Sequence, residues 1–165
     1  MEIEAENYPI AVMGAGTMGR GIAQAAASAG HPVMLYDVSK KHTQDAIEYI
    51  GQRLEESLQK GKITENSKVQ ILNNIKPVYV LDELFQAKLI IEAVIEDLKI
   101  KQELFCRMES VLESGTILST NTSSLDLSKI STTLKRPERF VGMHFFNPVP
   151  VMALEIGRAS CRERV

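Results

Sequence analysis

The sequence predicts an α/β fold: a doubly wound, mostly parallel sheet with helices on both faces. Three observations carry that expectation. Short apolar runs of strand length alternate with helical stripes. A glycine-rich turn joins the first run to the first helix. An acidic residue closes the second run.

Pro9–Met13 is an apolar run of the length of a buried parallel strand. Gly14-Ala15-Gly16-Thr17-Met18-Gly19 follows at once, and Ile22, Ala23, Ala25, Ala26, Ala27 and Ala29 then predict a helix that Gly30 ends. Pro32–Tyr36 is the next strand, with Asp37 at its end, eighteen residues after Gly19. Strand, glycine turn, helix, strand and acid in that order make a Rossmann-type dinucleotide cradle. Gly14 permits the turn, Gly16 admits a pyrophosphate to the helix N-terminus formed by Thr17 and Met18, and Gly19 lets helix and strand pack closely. An Asp37 carboxylate accepts hydrogen bonds from ribose hydroxyls and repels a 2′-phosphate, so NAD is expected over NADP. The competing roles are a glycine turn that only packs elements and an Asp37 that only caps the next helix, a task equally open to Ser39.

Ile47, Ile50, Leu54 and Leu58 lie at helical spacing up to Gly61, and Thr64-Glu65 starts a second helix carrying Val69 and Leu72. Ile75–Val80 is extended at best, since Pro77 cannot donate to a central ladder. Lys88–Val94 is a buried strand, and Leu104, Phe105, Met108, Val111 and Leu112 form a helical stripe in which Cys106 is expected to be core packing. Thr116–Ser119 and Phe140–Met143 are the next strands. Ligands in such sheets lie beyond the carboxyl ends of strands. That condition selects Gly14–Gly19, Glu96, Asn121–Ser124 and His144.

The chain of 165 residues is long enough for one domain with a core, and 44% apolar content argues against disorder. A net charge of −2 without a basic block argues against nucleic acid, and no run reaches the length of a membrane span. The acidic start Met1–Glu6 lacks the features of a signal peptide, and Cys106 and Cys161 give neither a disulfide framework nor metal spacing. A cytoplasmic location, no membrane partner and no metal are therefore expected.

Gly142-Met143-His144-Phe145-Phe146-Asn147-Pro148 sets one histidine among aromatic residues at a strand end. An imidazole titrating near neutrality can take a hydroxyl proton while hydride leaves the same carbon. Asn121-Thr122-Ser123-Ser124 can orient a nicotinamide or a substrate oxygen, or simply cap the helix that starts near Leu125. Glu96 and Lys101 read as an exposed pair, and Lys62 as a solvated charge that could meet an anionic substrate.

Taken together, Gly14–Gly19, Asp37, Ile91–Glu96, Asn121–Ser124 and Gly142–Val151 closely resemble the NAD-binding domain of L-3-hydroxyacyl-CoA dehydrogenases, including the 3-hydroxybutyryl-CoA type and the dehydrogenase part of fatty-acid oxidation multienzymes. The likeness runs from about Tyr8 to Leu154. It implies oxidation of the 3-hydroxyl of an acyl-CoA such as 3-hydroxybutyryl-CoA, with NAD as acceptor, in fatty-acid β-oxidation or butanoate metabolism. By motif match, His144 is the base and Ser123 holds the substrate's 3-oxygen. Glu96, Lys101, Asn121 and Asn147 line the nicotinamide half, while Ser57 and Lys62 meet CoA.

The likeness breaks at Pro150-Val151-Met152-Ala153-Leu154-Glu155-Ile156. The family pattern carries one further residue before a glutamate that pairs with the catalytic histidine. Glu155 therefore falls one position early and is expected on the opposite face of an extended segment, with Ile156 in its place. Ile156–Val165 matches, codon for codon, a common short-read sequencing adapter. The expected organisation is an NAD-binding domain over residues 1–154 and an artefactual tail over 155–165. The family's helical substrate and dimerisation domain is expected to be absent, with exposed apolar surface and little turnover by the chain alone. Homodimerisation is expected of the full-length protein through that domain. The competing functions are a non-catalytic NAD-binding module, such as a crystallin-like relative, and a dehydrogenase of a free hydroxy acid.

Overall fold

A computed structural model describes residues 7–152 and 154–158. The N-terminal segment 1–6, Cys161 and the rest of the predicted tail beyond Arg158 lie outside the described residues. The strands are β1 (Ile10–Met13), β2 (Val33–Tyr36), β3 (Ile75–Val78), β4 (Leu89–Glu92), β5 (Ile117–Thr120), β6 (Phe140–Phe145) and β7 (Leu154–Arg158). The helices are α1 (Thr17–Ser28), α2 (Lys40–Gln59), α3 (Glu65–Asn73), α4 (Leu98–Val111) and α5 (Leu127–Ser131).

The sheet runs β3-β2-β1-β4-β5-β6-β7, parallel except for the last pair. Strand order reverses between β1 and β4, which is the topological switch point where such sheets bind ligands. Pro77 lies in β3 opposite Leu35, on an edge strand, where the missing N–H costs no inner ladder bond.

The two faces bury two cores. Ile22, Ala23 and Ala27 of α1 and Ala46, Ile50 and Leu54 of α2 pack with Val12, Val33, Leu35 and Ile91 on one side. Phe105 and Met108 of α4 and Ile130 of α5 pack with Ala11, Met13, Ile90 and Leu118 on the other. Phe105 meets Phe140 edge-on, with centroids 5.1 Å apart. The helix ends follow sequence chemistry: Ser39, Thr64, Asp97 and Asp126 each accept a backbone N–H as N-caps. Gly30 adopts φ +94° just past α1, as its predicted role as a stop requires.

Two expectations need correction. Cys106 is exposed, and its thiol donates to the Thr133 carbonyl. The buried phase of α4 is Lys101, Phe105 and Met108, and Cys106 lies off it. Glu155 does not turn away from the histidine. In the antiparallel ladder His144 pairs with Glu155 and Met143 with Ile156, and cross-strand partners share a face. Around β7, Val151 is 80% and Ile156 66% accessible.

Candidate functional site

The cradle begins at Gly14, which adopts φ +103°, and its N–H donates to the Tyr36 carbonyl. A Cβ on Gly14 would lie 2.6 Å from the Ala93 carbonyl oxygen, and one on Gly19 only 1.7 Å from the Gly14 oxygen. Both glycines are closed in by backbone. Gly16 differs: it is exposed, and a Cβ there would meet nothing within 4 Å. The space is open toward solvent at the N-terminus of α1. Gly16 is the N-cap and offers no side-chain cap to that helix. The leading N–H groups of α1 are thus left for an anion such as a diphosphate. Thr17 is exposed and Met18 half-buried beside them.

Asp37 stands where β2 ends. Its Oδ2 accepts the Ala15 N–H at 2.8 Å, and its Oδ1 accepts the Ser39 N–H at 2.9 Å and lies 3.2 Å from His42 Nδ1. It thus ties the glycine loop to the start of α2 while Ser39 caps the helix. A carboxylate has about four lone-pair sites, so acceptor capacity remains for ribose hydroxyls.

The opposite half of the crevice is built on the loops after β4 and β5. Glu92 and Lys101 form a buried ion pair, 0% and 1% accessible, with Nζ 2.6 Å from Oε1. Glu92 Oε1 also accepts the Val94 N–H at 2.6 Å, and Oε2 accepts the Thr120 hydroxyl at 2.5 Å. Lys101 reaches Glu96 Oε2 at 3.3 Å and the Val94 carbonyl at 3.5 Å. Glu96 Oε1 accepts from the Thr122 hydroxyl and from the N–H and hydroxyl of Ser124. Breaking such a buried pair on one side leaves an uncompensated charge, at a cost of about 3–5 kcal/mol. Sequence reading treated Lys101 as half of an exposed pair and overlooked Glu92. The signal was there: a carboxylate inside the apolar run Leu89–Val94 requires a partner, and Lys101 shares the buried phase of Phe105 and Met108.

Partial burial pushes the Glu96 carboxyl up. The Thr122 hydroxyl, the Lys101 ammonium and the Ser124 hydroxyl outweigh it and hold the group at about 2, against an ordinary 4.5. Because the folded value is the lower one, the stabilisation is complete above about 4.5 and is lost as pH falls toward about 2. Wild type should therefore melt above Glu96→Gln near neutrality, and the gap should close through that window. Paired thermal melts across the same pH range check this, and a gap that is constant with pH contradicts it.

Asn121 Oδ1 accepts the Phe145 N–H at 2.8 Å, so the β5 loop holds the backbone beside His144. Ser123 is exposed on that loop. His144 is half-buried, its ring centroid 4.4 Å from that of Phe146, and Asn147 lies exposed just past the strand. The turn that follows is anchored by buried Val149, which sits against α1 at Gly21: a Cβ there would meet Val149 Cγ2 at 3.0 Å. The turn after β6 and the glycine-loop helix are thereby packed together, a contact that no sequence motif announced.

The structure brings Gly14–Gly19, Asp37, Glu96, Lys101, Asn121, Ser123, His144 and Asn147 to the carboxyl edge of one sheet. Ser57 and Lys62 are placed apart from these, at the end of α2. The Ser57 hydroxyl donates to the Arg53 carbonyl and the Lys62 N–H to the Ser57 carbonyl. Among the described residues, no hydrogen bond links either to the β4–β6 loops.

Residues 9–160 match the family model described as 3-hydroxyacyl-CoA dehydrogenase, NAD binding domain. The chain is 45% identical over 145 residues to 3-hydroxyadipyl-CoA dehydrogenase of Escherichia coli K12, covering 88% of this chain and 30% of that protein. It is 42% identical over 149 residues to 3-hydroxybutyryl-CoA dehydrogenase of Clostridioides difficile, covering 88% and 52%. Among solved structures, 3-hydroxybutyryl-CoA dehydrogenase from E. coli K12 superposes with a TM-score of 0.90 at 42% identity, covering 92% of this chain and 32% of that one. The chain thus spans about half the length of the C. difficile relative and under a third of the E. coli one.

Proposed function

The chain belongs to the 3-hydroxyacyl-CoA dehydrogenase family through its NAD-binding domain, and on that premise we propose that it supplies the cofactor cradle and the catalytic base for oxidation of an L-3-hydroxyacyl-CoA to the 3-ketoacyl-CoA. The cradle fits NAD: Gly16 is open where the diphosphate must approach, and Asp37 carries the carboxylate for the ribose hydroxyls. Held by Gly14–Gly19 and Asp37, NAD would supply the hydride acceptor for the C3 carbon. His144 takes the proton of the 3-hydroxyl, so the C–O bond becomes a carbonyl as the C–H electron pair departs. Ser123 donates to the same oxygen. Glu155, opposite His144 in the ladder, orients the imidazole and stabilises its cation. Glu96, Lys101, Asn121 and Asn147 form the wall of the nicotinamide half. An acyl-CoA is the partner, with Ser57 and Lys62 toward its CoA moiety, and a cytoplasmic location accords with the free thiol of Cys106.

The observation that carries this reading is the half-buried His144 facing Glu155 beside the β5 loop, since a protein that only binds NAD needs no base there. The test is a chimera in which this chain, through Arg158, the end of β7, is joined to the remaining half of the C. difficile relative. It should form NADH from NAD and 3-hydroxybutyryl-CoA but not from free 3-hydroxybutyrate. Turnover of the free acid alone would move the protein to the free-acid class. A chimera that binds NADH and turns over neither would make the chain a binding module.

Asp37 sets the choice of cofactor. Asp37→Ser should narrow the preference for NADH over NADPH by about tenfold or more, as the repulsion of a 2′-phosphate disappears. Paired titrations with the two reduced cofactors measure the ratio, which also cancels any general loosening of the glycine loop.

A further inference from the structure

We infer that His42 is a specificity-determining residue: it competes with the ribose hydroxyls of NADH for Asp37 and, as a cation, pairs with the 2′-phosphate of NADPH, so that it narrows the preference for NADH. The inference rests on the reading of Gly14–Gly19 and Asp37 as the cradle and adds a residue to it.

A carboxylate has about four lone-pair sites, two on each oxygen. Asp37 Oδ2 accepts the Ala15 N–H at 2.8 Å and Oδ1 the Ser39 N–H at 2.9 Å, so the backbone takes one site on each oxygen. One site is left on each, an arrangement that fits the two adjacent hydroxyls of a ribose. His42 Nδ1 lies 3.2 Å from Oδ1. An ionised carboxylate only accepts, so the ring nitrogen donates and fills the second site on Oδ1. One ribose hydroxyl then has a free partner, and the other must displace the imidazole. That displacement is open to it, because the His42 side chain is 64% exposed.

The same ring carries the charge that faces Asp37. Lys40 and Lys41 precede it in the first turn of α2, and Asp45 follows one turn on. The Lys40 ammonium lies 5.2 Å over the Tyr79 ring, and among the described residues neither lysine forms an ion pair with Asp37. The glycine loop that meets the carboxylate has no titratable side chain. Imidazoles change charge between about pH 5 and 8. An imidazolium here offsets the carboxylate that repels a 2′-phosphate and gives that phosphate a partner. For groups this exposed, one such contact is worth up to about fivefold in a binding constant.

The test titrates the chain itself with NADH and with NADPH, followed by their fluorescence, at about pH 6 and about pH 8. At the lower pH, His42→Leu should bind NADH about threefold more tightly than wild type and NADPH about threefold more weakly, so the preference for NADH widens about tenfold. At the higher pH it should widen by about threefold or less. Comparing the two proteins at one pH cancels the titration of the 2′-phosphate itself, which falls in the same range. His42→Asn, whose amide can donate to Oδ1 without a charge, should keep the NADH affinity of wild type but lose the pH dependence of the preference. An unchanged preference in His42→Leu at both pH values overturns the inference. A narrower one also overturns it, by making His42 a support for the grip of Asp37 on the ribose. A wild-type chain that binds neither dinucleotide overturns the reading of the cradle together with the inference, whereas NADH binding without the His42 effects overturns the inference alone.

Discussion

Gly16→Ala should abolish tight NADH binding while leaving the fold intact, whereas Gly19→Ala should unfold the chain. The two glycines are three residues apart in one loop, yet the structure gives them opposite surroundings. Gly16 has an ordinary φ of −68°, which alanine adopts without strain, and a Cβ there meets no protein atom within 4 Å. The added methyl occupies only the space at the helix N-terminus where a diphosphate must come against the backbone. The expected result is a weakening of NADH by about tenfold or more with unchanged urea unfolding. On Gly19 the Cβ would lie 1.7 Å from a backbone oxygen of Gly14, and neither atom can swing aside. Relief requires β1 and α1 to separate, so a destabilisation above about 4 kcal/mol is expected, in the range reserved for changes that break a packed element. Fluorescence titration and urea melts on both variants separate the two effects.

His144→Gln should lower turnover in the chimera by about 10²–10⁴-fold, the usual contribution of a positioned general base. NADH affinity should stay within about twofold, because the cradle is built on β1, α1 and β2 and His144 closes β6. Glutamine keeps the polarity and approximate bulk of the side chain but cannot accept the hydroxyl proton and hold it as a cation. Glu155→Gln should give a smaller loss in the same direction. Ile156→Ala should leave turnover near that of wild type, because Ile156 is paired with Met143 and not with the histidine. Had the missing residue before Glu155 shifted the register, the two positions would exchange these effects. Steady-state rates of the three variants, read beside their NADH affinities, decide the matter.

The fold was legible because its signals are local. Strand-length apolar runs, the glycine turn and Asp37 all reside in short windows, and backbone geometry leaves little choice once they occur in that order. Residues that identity alone misplaced were placed by phase. Cys106 is apolar enough to suggest burial and Lys101 polar enough to suggest solvent, but on α4 Lys101 is in line with Phe105 and Met108 and Cys106 is not. The Glu155 register was not legible, since it depends on how a connection across residues 146–153 accommodates a deletion, and a loop can absorb what a strand cannot. The contact of Val149 with α1 at Gly21 and the network around Glu92 are likewise long-range, set by strand order more than by any neighbour in sequence.

The central claim, that a hydride passes from C3 of an acyl-CoA to NAD under the control of His144, is tested most directly by isotope transfer. The chimera is given NAD and L-3-hydroxybutyryl-CoA carrying deuterium at C3, and the NADH formed is weighed by mass spectrometry. The account predicts NADH carrying one deuterium, 3-ketobutyryl-CoA in equal amount, and loss of both in His144→Gln. Unlabelled NADH, or labelled NADH formed undiminished in His144→Gln, would contradict it.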